Sequence, residues 1–218
     1  MFLINFVVYL VLGMMLMSLI EHQVHMRLMH KKYSVGKFFP AIDRIFRSHA
    51  IEHHGTYRAE FSDHPVPPGE DRGIRLNHVE GLIESLPGAA LFLLLSPLAS
   101  VVFMIVVQIH HLMWNAIHLE MHKPAGRFFS NWAAYKFCVR HHMLHHRHAS
   151  KNFNVALPLG DYLCNTVATP NYADLVAFYH EGLLPGQKGK PVAARKASAR
   201  QAVKTAAREP QTVGSARD

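Results

Sequence analysis

Cysteine is scarce in this chain. Cys138 and Cys164 are the two among 218 residues, and they form no CxxC. That excludes a disulfide framework and makes a reducing compartment the simpler setting for both thiols. Charge is scarce as well: Asp, Glu, Lys and Arg make up 17% of the sequence, against roughly 25% in ordinary globular chains. There is no HExxH and no ExxH, so neither a zinc-protease helix nor a soluble carboxylate di-iron bundle is indicated. No Ser-His-Asp pattern and no Gly-rich phosphate loop stands out.

The formal net charge of +8 invites a nucleic-acid reading, but its distribution argues against one. Residues 186–218 hold eight Lys/Arg and two acids, a net of +6, with no aromatic residue on which bases would stack. Residues 181–218 read as a basic, disordered cytoplasmic tail that touches anionic headgroups at most. Residues 1–180 read as one domain.

What the chain has in excess is histidine, 18 residues in all. Five of the eight residues from His141 to His148 carry an imidazole. Histidine is a mediocre helix former, and clustered imidazoles repel when protonated. A shared metal removes the second objection, because it binds the neutral ring through a lone pair. On a helix, His142, His145 and His146 share one face.

The other histidines lie beside apolar blocks. Phe2–Ile20 is long enough to span a bilayer, and it reads as a retained membrane helix rather than a signal peptide, with no charged residue in its first turn. Arg27, Lys31, Lys32 and Lys37 follow it and place its C-terminal end in the cytoplasm. That end carries His22, His25 and His30; interfacial histidines are the plain alternative. Pro40 precedes a helix over 41–54 whose apolar stripe (Ile42, Ile45, Phe46) ends in His49 and His53, with Gly55 as its stop. An amphipathic helix on the membrane surface is the alternative there. Residues 61–77 read as a loop, and His64 and His78 as isolated surface or outer-sphere residues.

Val79–Leu95, broken at Leu86-Pro87-Gly88, and Leu98–His118 read as a membrane hairpin turning at Ser96-Pro97. The second helix carries a polar stripe of Gln108, His111, Asn115, His118 and His122. Polar groups at membrane depth usually face inward and mark function; hydrogen bonding between helices is the alternative. Ser130 or Asn131 is positioned to cap the next helix. Asp161 stands to accept a bond from a ligating imidazole or to cap a short helix. The expected fold is all-α: a multi-pass membrane helical bundle with a cytoplasmic His-rich helical cap.

Three crossings with the N-terminus outside put four His groups on one side: His25/His30, His49/His53/His54, His118/His122 and His142/His145/His146. Ten imidazoles exceed the four ligands of a structural zinc and suit two metals. Imidazole serves iron, zinc, copper and nickel alike. His22, His110, His111, His141 and His148 stand as substitutes or outer-sphere partners, as do Asn115 and Asp161.

These spacings, HxxxxH, HxxxHH, HxxxH and HxxHH in order, resemble the His boxes of the membrane fatty acid hydroxylase superfamily, and KNFNVALPLGDYL resembles its segment after the last box. The likeness covers residues 20–165. Three features depart from the family pattern: three residues rather than two separate His49 from His53, Gly160 precedes Asp161 where an aromatic residue is common, and no fused cytochrome domain is visible, so the electrons are expected from a separate donor. The resemblance implies a non-haem di-iron oxidoreductase holding two iron ions, with zinc able to replace them in a recombinant preparation. It implies O₂ as oxidant, hydroxylation of a C–H bond in a lipid-like substrate as in fatty acid or sterol metabolism, and a separate electron donor such as a ferredoxin or small cytochrome. A desaturase of the same type is the near alternative. A non-enzymatic membrane metal-binding or transport protein is the distant one.

Overall fold

The computed structural model describes residues 1–58, 60–63 and 76–185. Among these residues the fold is helical, with no strand. His64, part of the 61–77 loop and nearly all of the basic tail lie outside the described residues, as does the side chain of His78.

Helix α1, Phe2–Val24, continues into a π-helical turn, His25–Met29. Helix α2, Pro40–Phe46, starts on a proline that fits a first helical turn. It runs on through π-helical Arg47–His53 to a last turn α3, His54–Thr56. The uniform α-helix expected over 41–54 is therefore corrected: its second half is wound more loosely, and Gly55 lies inside the final turn.

Helix α4, His78–Leu93, is capped by the Asn77 side chain. It passes through Pro87 without the expected break; Ser85 Oγ donates to the Leu82 carbonyl just before it. Helix α5, Pro97–His122, begins at Ser96, whose hydroxyl accepts from Ala99 N–H. The two form the expected hairpin and pack along each other. Helix α6 is Ala133–Arg147, α7 is Leu159–Leu163 and α8 is Tyr172–His180. Neither Ser130 nor Asn131 caps α6. Trp132 holds that position, and Ser130 Oγ donates to buried Glu120 instead.

Helix α1 packs on α5 and α7. Gly13 allows the first contact, since a Cβ there would stand 3.0 Å from the Val106 side chain. One core joins Met17, Ala89, Val102, Phe103, Val106 and Val107. A second, around Trp114, Met121, Val139, Met143, Val155 and Phe178, lies at the other end of α5. Helices α1 (with its π turn) and α5 are each long and apolar enough to cross a membrane. Their outward faces keep the large apolar side chains of Phe2, Leu3, Ile4, Leu12, Val101 and Leu112 more than half exposed.

Candidate metal centre

The histidines come from the C-terminal ends of α1 and α5, the end of the α2–α3 segment, and the last turns of α6. Their rings form two adjoining groups. His25, His30, His49, His54 and His145 make one; His53, His118, His122 and His142 make the other. Within each, one ring nitrogen per residue lies within 4.8 Å of all the rest. His146 joins the second group, with Nε2 3.1 Å from His142 Nε2 and 3.2 Å from His53 Nε2. The groups abut where the His54 and His146 rings stack at 4.4 Å. All ten residues expected as ligands therefore converge.

Winding explains how the histidines spaced five apart join these groups. Residues five apart on an α-helix diverge by about 140°. A π turn, bonded from i to i+5, brings them back to one side. Both such pairs, His25/His30 and His49/His54, include π-helical residues, and all four rings fall in the first group. His118/His122 and His142/His146 are four apart, and ordinary α-helix suffices.

The ring nitrogens make hydrogen bonding among the histidines an insufficient account of the site. A neutral imidazole has one N–H and one lone pair. Nδ1–H of His25 donates to the Phe153 carbonyl, that of His122 to Phe61 O at 2.7 Å and that of His145 to Lys151 O at 2.7 Å. Carbonyls only accept, so Nε2 of each of these rings is a bare lone pair. Yet His142 Nε2 lies 3.1 Å from Nε2 of His118, of His122 and of His146. His145 Nε2 lies 3.0 Å from that of His30 and 3.1 Å from that of His54, and the His25–His49 pair is 2.8 Å apart. One proton or one lone pair cannot serve three neighbours. Two nitrogens each about 2.1 Å from one ion and at right angles would stand about 3 Å apart. The spacing and the inward lone pairs fit a cation at the centre of each group.

Burial keeps the rings neutral. His30 and His54 are lowered from 6.5 to about 4, first by desolvation and, for His30, then by the neighbouring His54. His49, His53, His142, His145 and His146 are held well below 6.5 first by burial and then by the neighbouring histidines of the two groups. A neutral ring is the metal-binding form.

None of the other expected residues enters either group. His141 donates through Nε2 to Asp161 at 2.8 Å, and His148 pairs with Asp174 at 3.0 Å. His22 meets Thr166 Oγ1, His110 meets Glu21, and His111 Nδ1 donates to Val107 O in its own helix. Asn115 binds the Leu76 backbone through both amide atoms.

Asp161, fully buried, accepts from His141 rather than from a ring of either group, which corrects one expectation. It also accepts from the backbone N–H of Phe153 and Asn154 and from Thr166 Oγ1. Burial opposes its charge, but the bonds from His141, Asn154 and Thr166 outweigh that and lower its pKa. It thereby fixes the strand of backbone whose Phe153 carbonyl orients His25. Gly160 beside it has a steric reason: a Cβ would stand 2.7 Å from Ser18 O, His22 Cβ and Asn154 Oδ1, so α7 crosses α1 at a point without room for a side chain.

Sequence reasoning missed Glu21, Glu120 and the carbonyls of Phe61, Lys151 and Phe153. Glu21, an acid at the end of an apolar run, accepts from Val155 N–H, Asn154 Nδ2 and His110 Nε2. Its place in an apolar helix was the available signal. Glu120 accepts from Ala125, Gly126 and Arg127 N–H and ties down the turn after α5. The carbonyls left no mark in the sequence.

No protein family, curated protein or solved structure matches the chain.

Beside the first group lies a cavity of about 460 Å³ between α1, α4 and α5. Its wall is mainly apolar, from Met17, Ile20, Val24, Leu28, Phe103 and Trp114, and it reaches His25.

Proposed function

We propose that this protein is a membrane-embedded di-iron oxygenase that hydroxylates a C–H bond of a lipid-like substrate. The observation that carries the reading is the convergence of Nε2 lone pairs into two abutting groups. Ten neutral imidazoles exceed one ion's needs, and two neighbouring ions satisfy them. Iron is chosen over other imidazole-binding metals because the four box spacings resemble those of the hydroxylase superfamily and because an apolar cavity adjoins His25.

In this reading α1, α4 and α5 cross the bilayer, and both His-bearing helix ends emerge on the cytoplasmic side. A bound iron pair would supply the reduction of O₂ and the oxidation of the C–H bond. The chain's part is to hold the rings with the carbonyls of Phe153, Lys151 and Phe61, to exclude water, and to align an apolar substrate along α1. Electrons come from a separate carrier protein. Hydroxylation is favoured over desaturation by the same box spacings.

The test is metal content of the detergent-purified protein together with O₂ uptake under a reductant. Two irons per chain with oxygen consumption is the expected result. A single ion, or an exchangeable metal with no oxygen consumption, overturns the reading.

A further inference from the structure

Buried Glu120 builds the turn after α5. Its carboxylate accepts from the backbone N–H of Ala125, Gly126 and Arg127, from Ser130 Oγ and from the Arg127 guanidinium. Bonds from so many donors to one fully buried acid hold the turn in a single shape. That shape presents aromatic rings to the outside. Phe128 is 82% exposed and Trp132 56%, with ring centroids 5.4 Å apart, and neither belongs to a core.

The level of the turn along α5 decides what meets these rings. From Pro97 to Glu120 the helix rises about 35 Å, a few ångströms more than a hydrocarbon core of about 30 Å. Where α5 crosses a bilayer, a turn tied to Glu120 therefore lies among the headgroups. Helix α7 reaches a similar level from α1. Gly160 N–H donates to Ser18 Oγ at 2.9 Å, and Gly160 abuts Ser18 and His22, which stand about 24 and 30 Å beyond Phe2 along the axis. The α7 residues Tyr162 and Leu163 are again more than half exposed. Between Glu120 and Asp161 the chain has six Lys/Arg and no acid, so this stretch offers an anionic headgroup layer no like charge.

We propose that the Glu120 turn and α7 are interfacial membrane anchors: Phe128, Trp132, Tyr162 and Leu163 insert into the headgroup boundary of the leaflet from which α1 and α5 emerge. The inference rests on α1 and α5 crossing a membrane, and not on the oxygenase reading. Trp132 is the residue at which α6 starts. The anchor thus fixes, at the membrane surface, the entry of the helix that carries His142, His145 and His146.

In a Trp114→Phe protein, Trp132 is the single tryptophan. In vesicles of phosphatidylcholine and phosphatidylglycerol it is expected to lose most of its emission to bromines placed high on the acyl chains. Bromines at the chain ends should quench it less, and acrylamide in the water little. The difference in emission between the unmutated protein and Trp132→Phe gives the same reading if Trp114→Phe fails to fold. Tyr162→Trp added to Trp132→Phe, measured against Trp132→Phe alone, is expected to follow the same order. Quenching by acrylamide and not by brominated lipid puts the turn in water and overturns the anchors, while α1 and α5 keep their spans. Quenching by neither means that protein covers the rings, and overturns them as well. Stronger quenching from the chain ends overturns the interfacial placement. A protein that does not float with the vesicles removes the spans and the anchors together.

Discussion

The rings of His49 and His54, five residues apart, lie with centroids 5.0 Å apart and belong to one group of five imidazoles. His53, next to His54, belongs to the other. One loosely wound segment thus feeds two neighbouring sites, and the winding decides which ring goes where. HxxxHH has one residue more than HxxHH, and the π-helical Arg47–His53 takes it up.

Deletion of Ala50 follows from this. The segment then has four residues from His49 to His54, a spacing that plain α-helix puts on one side. Two metals per chain are expected to remain, with the helix rewound. Insertion of an alanine at the same place puts the pair six apart, and the first group is expected to lose its ion. Metal analysis of both variants checks this; loss of both ions on deletion would show that the π winding itself is required.

His145→Ala removes a fully buried ring from the first group. Loss of an outer-sphere partner typically lowers metal affinity or activity by about 10–100-fold; removal of this ring is expected to exceed the upper end in activity and to leave one ion per chain or none. His180, exposed at the end of α8, is the control, and His180→Ala is expected to keep two ions and full oxygen uptake. The reverse order would overturn the assignment of ligands.

The four His sets and the hairpin were legible because they follow local rules. Apolar runs of membrane length, i,i+4 spacing and the Ser96 cap are written in neighbouring residues. The division of His53 from His54 was not legible, because it depends on a π turn that no residue type dictates. Nor was the role of Asp161. Its partners Phe153, Asn154 and Thr166 offer backbone and hydroxyl groups whose convergence exists only after folding. The expected cap of α6 at Ser130 or Asn131 went the other way: Ser130 serves Glu120, ten residues earlier on α5, and that contact overrides a local preference.

Asp161→Ala leaves buried donors from His141, Phe153 and Asn154 without their acceptor. Each such group costs about 1–3 kcal/mol, so a lowered melting temperature is expected. The effect on metal should be selective. The Phe153 carbonyl orients His25, so the first group is expected to weaken by about 10–100-fold while the second, oriented at His122 by Phe61, changes little. Stepwise iron titration of Asp161→Asn and Asp161→Ala separates the two groups. Equal weakening of both would show a general loss of fold instead.

Acid should act on the metal-free protein in a defined window. His30 and His54 titrate near 6.5 when unfolded and are lowered to about 4 in the fold by burial. Between these values the unfolded chain binds protons that the folded one refuses, so folding stability falls with falling pH. The contribution of these rings is fully present above 6.5 and is lost as pH falls through about 4. Thermal melts of the metal-free protein are expected to be flat above that window and to drop steadily within it. Bound metal opposes protonation of the same rings, so the loaded protein should hold its melting temperature to lower pH and then lose metal and stability together. Melting curves of the two forms across the window check this. A metal-free protein whose stability rises on acidification would mean the rings are protonated in the fold, and the neutral donor set would be lost.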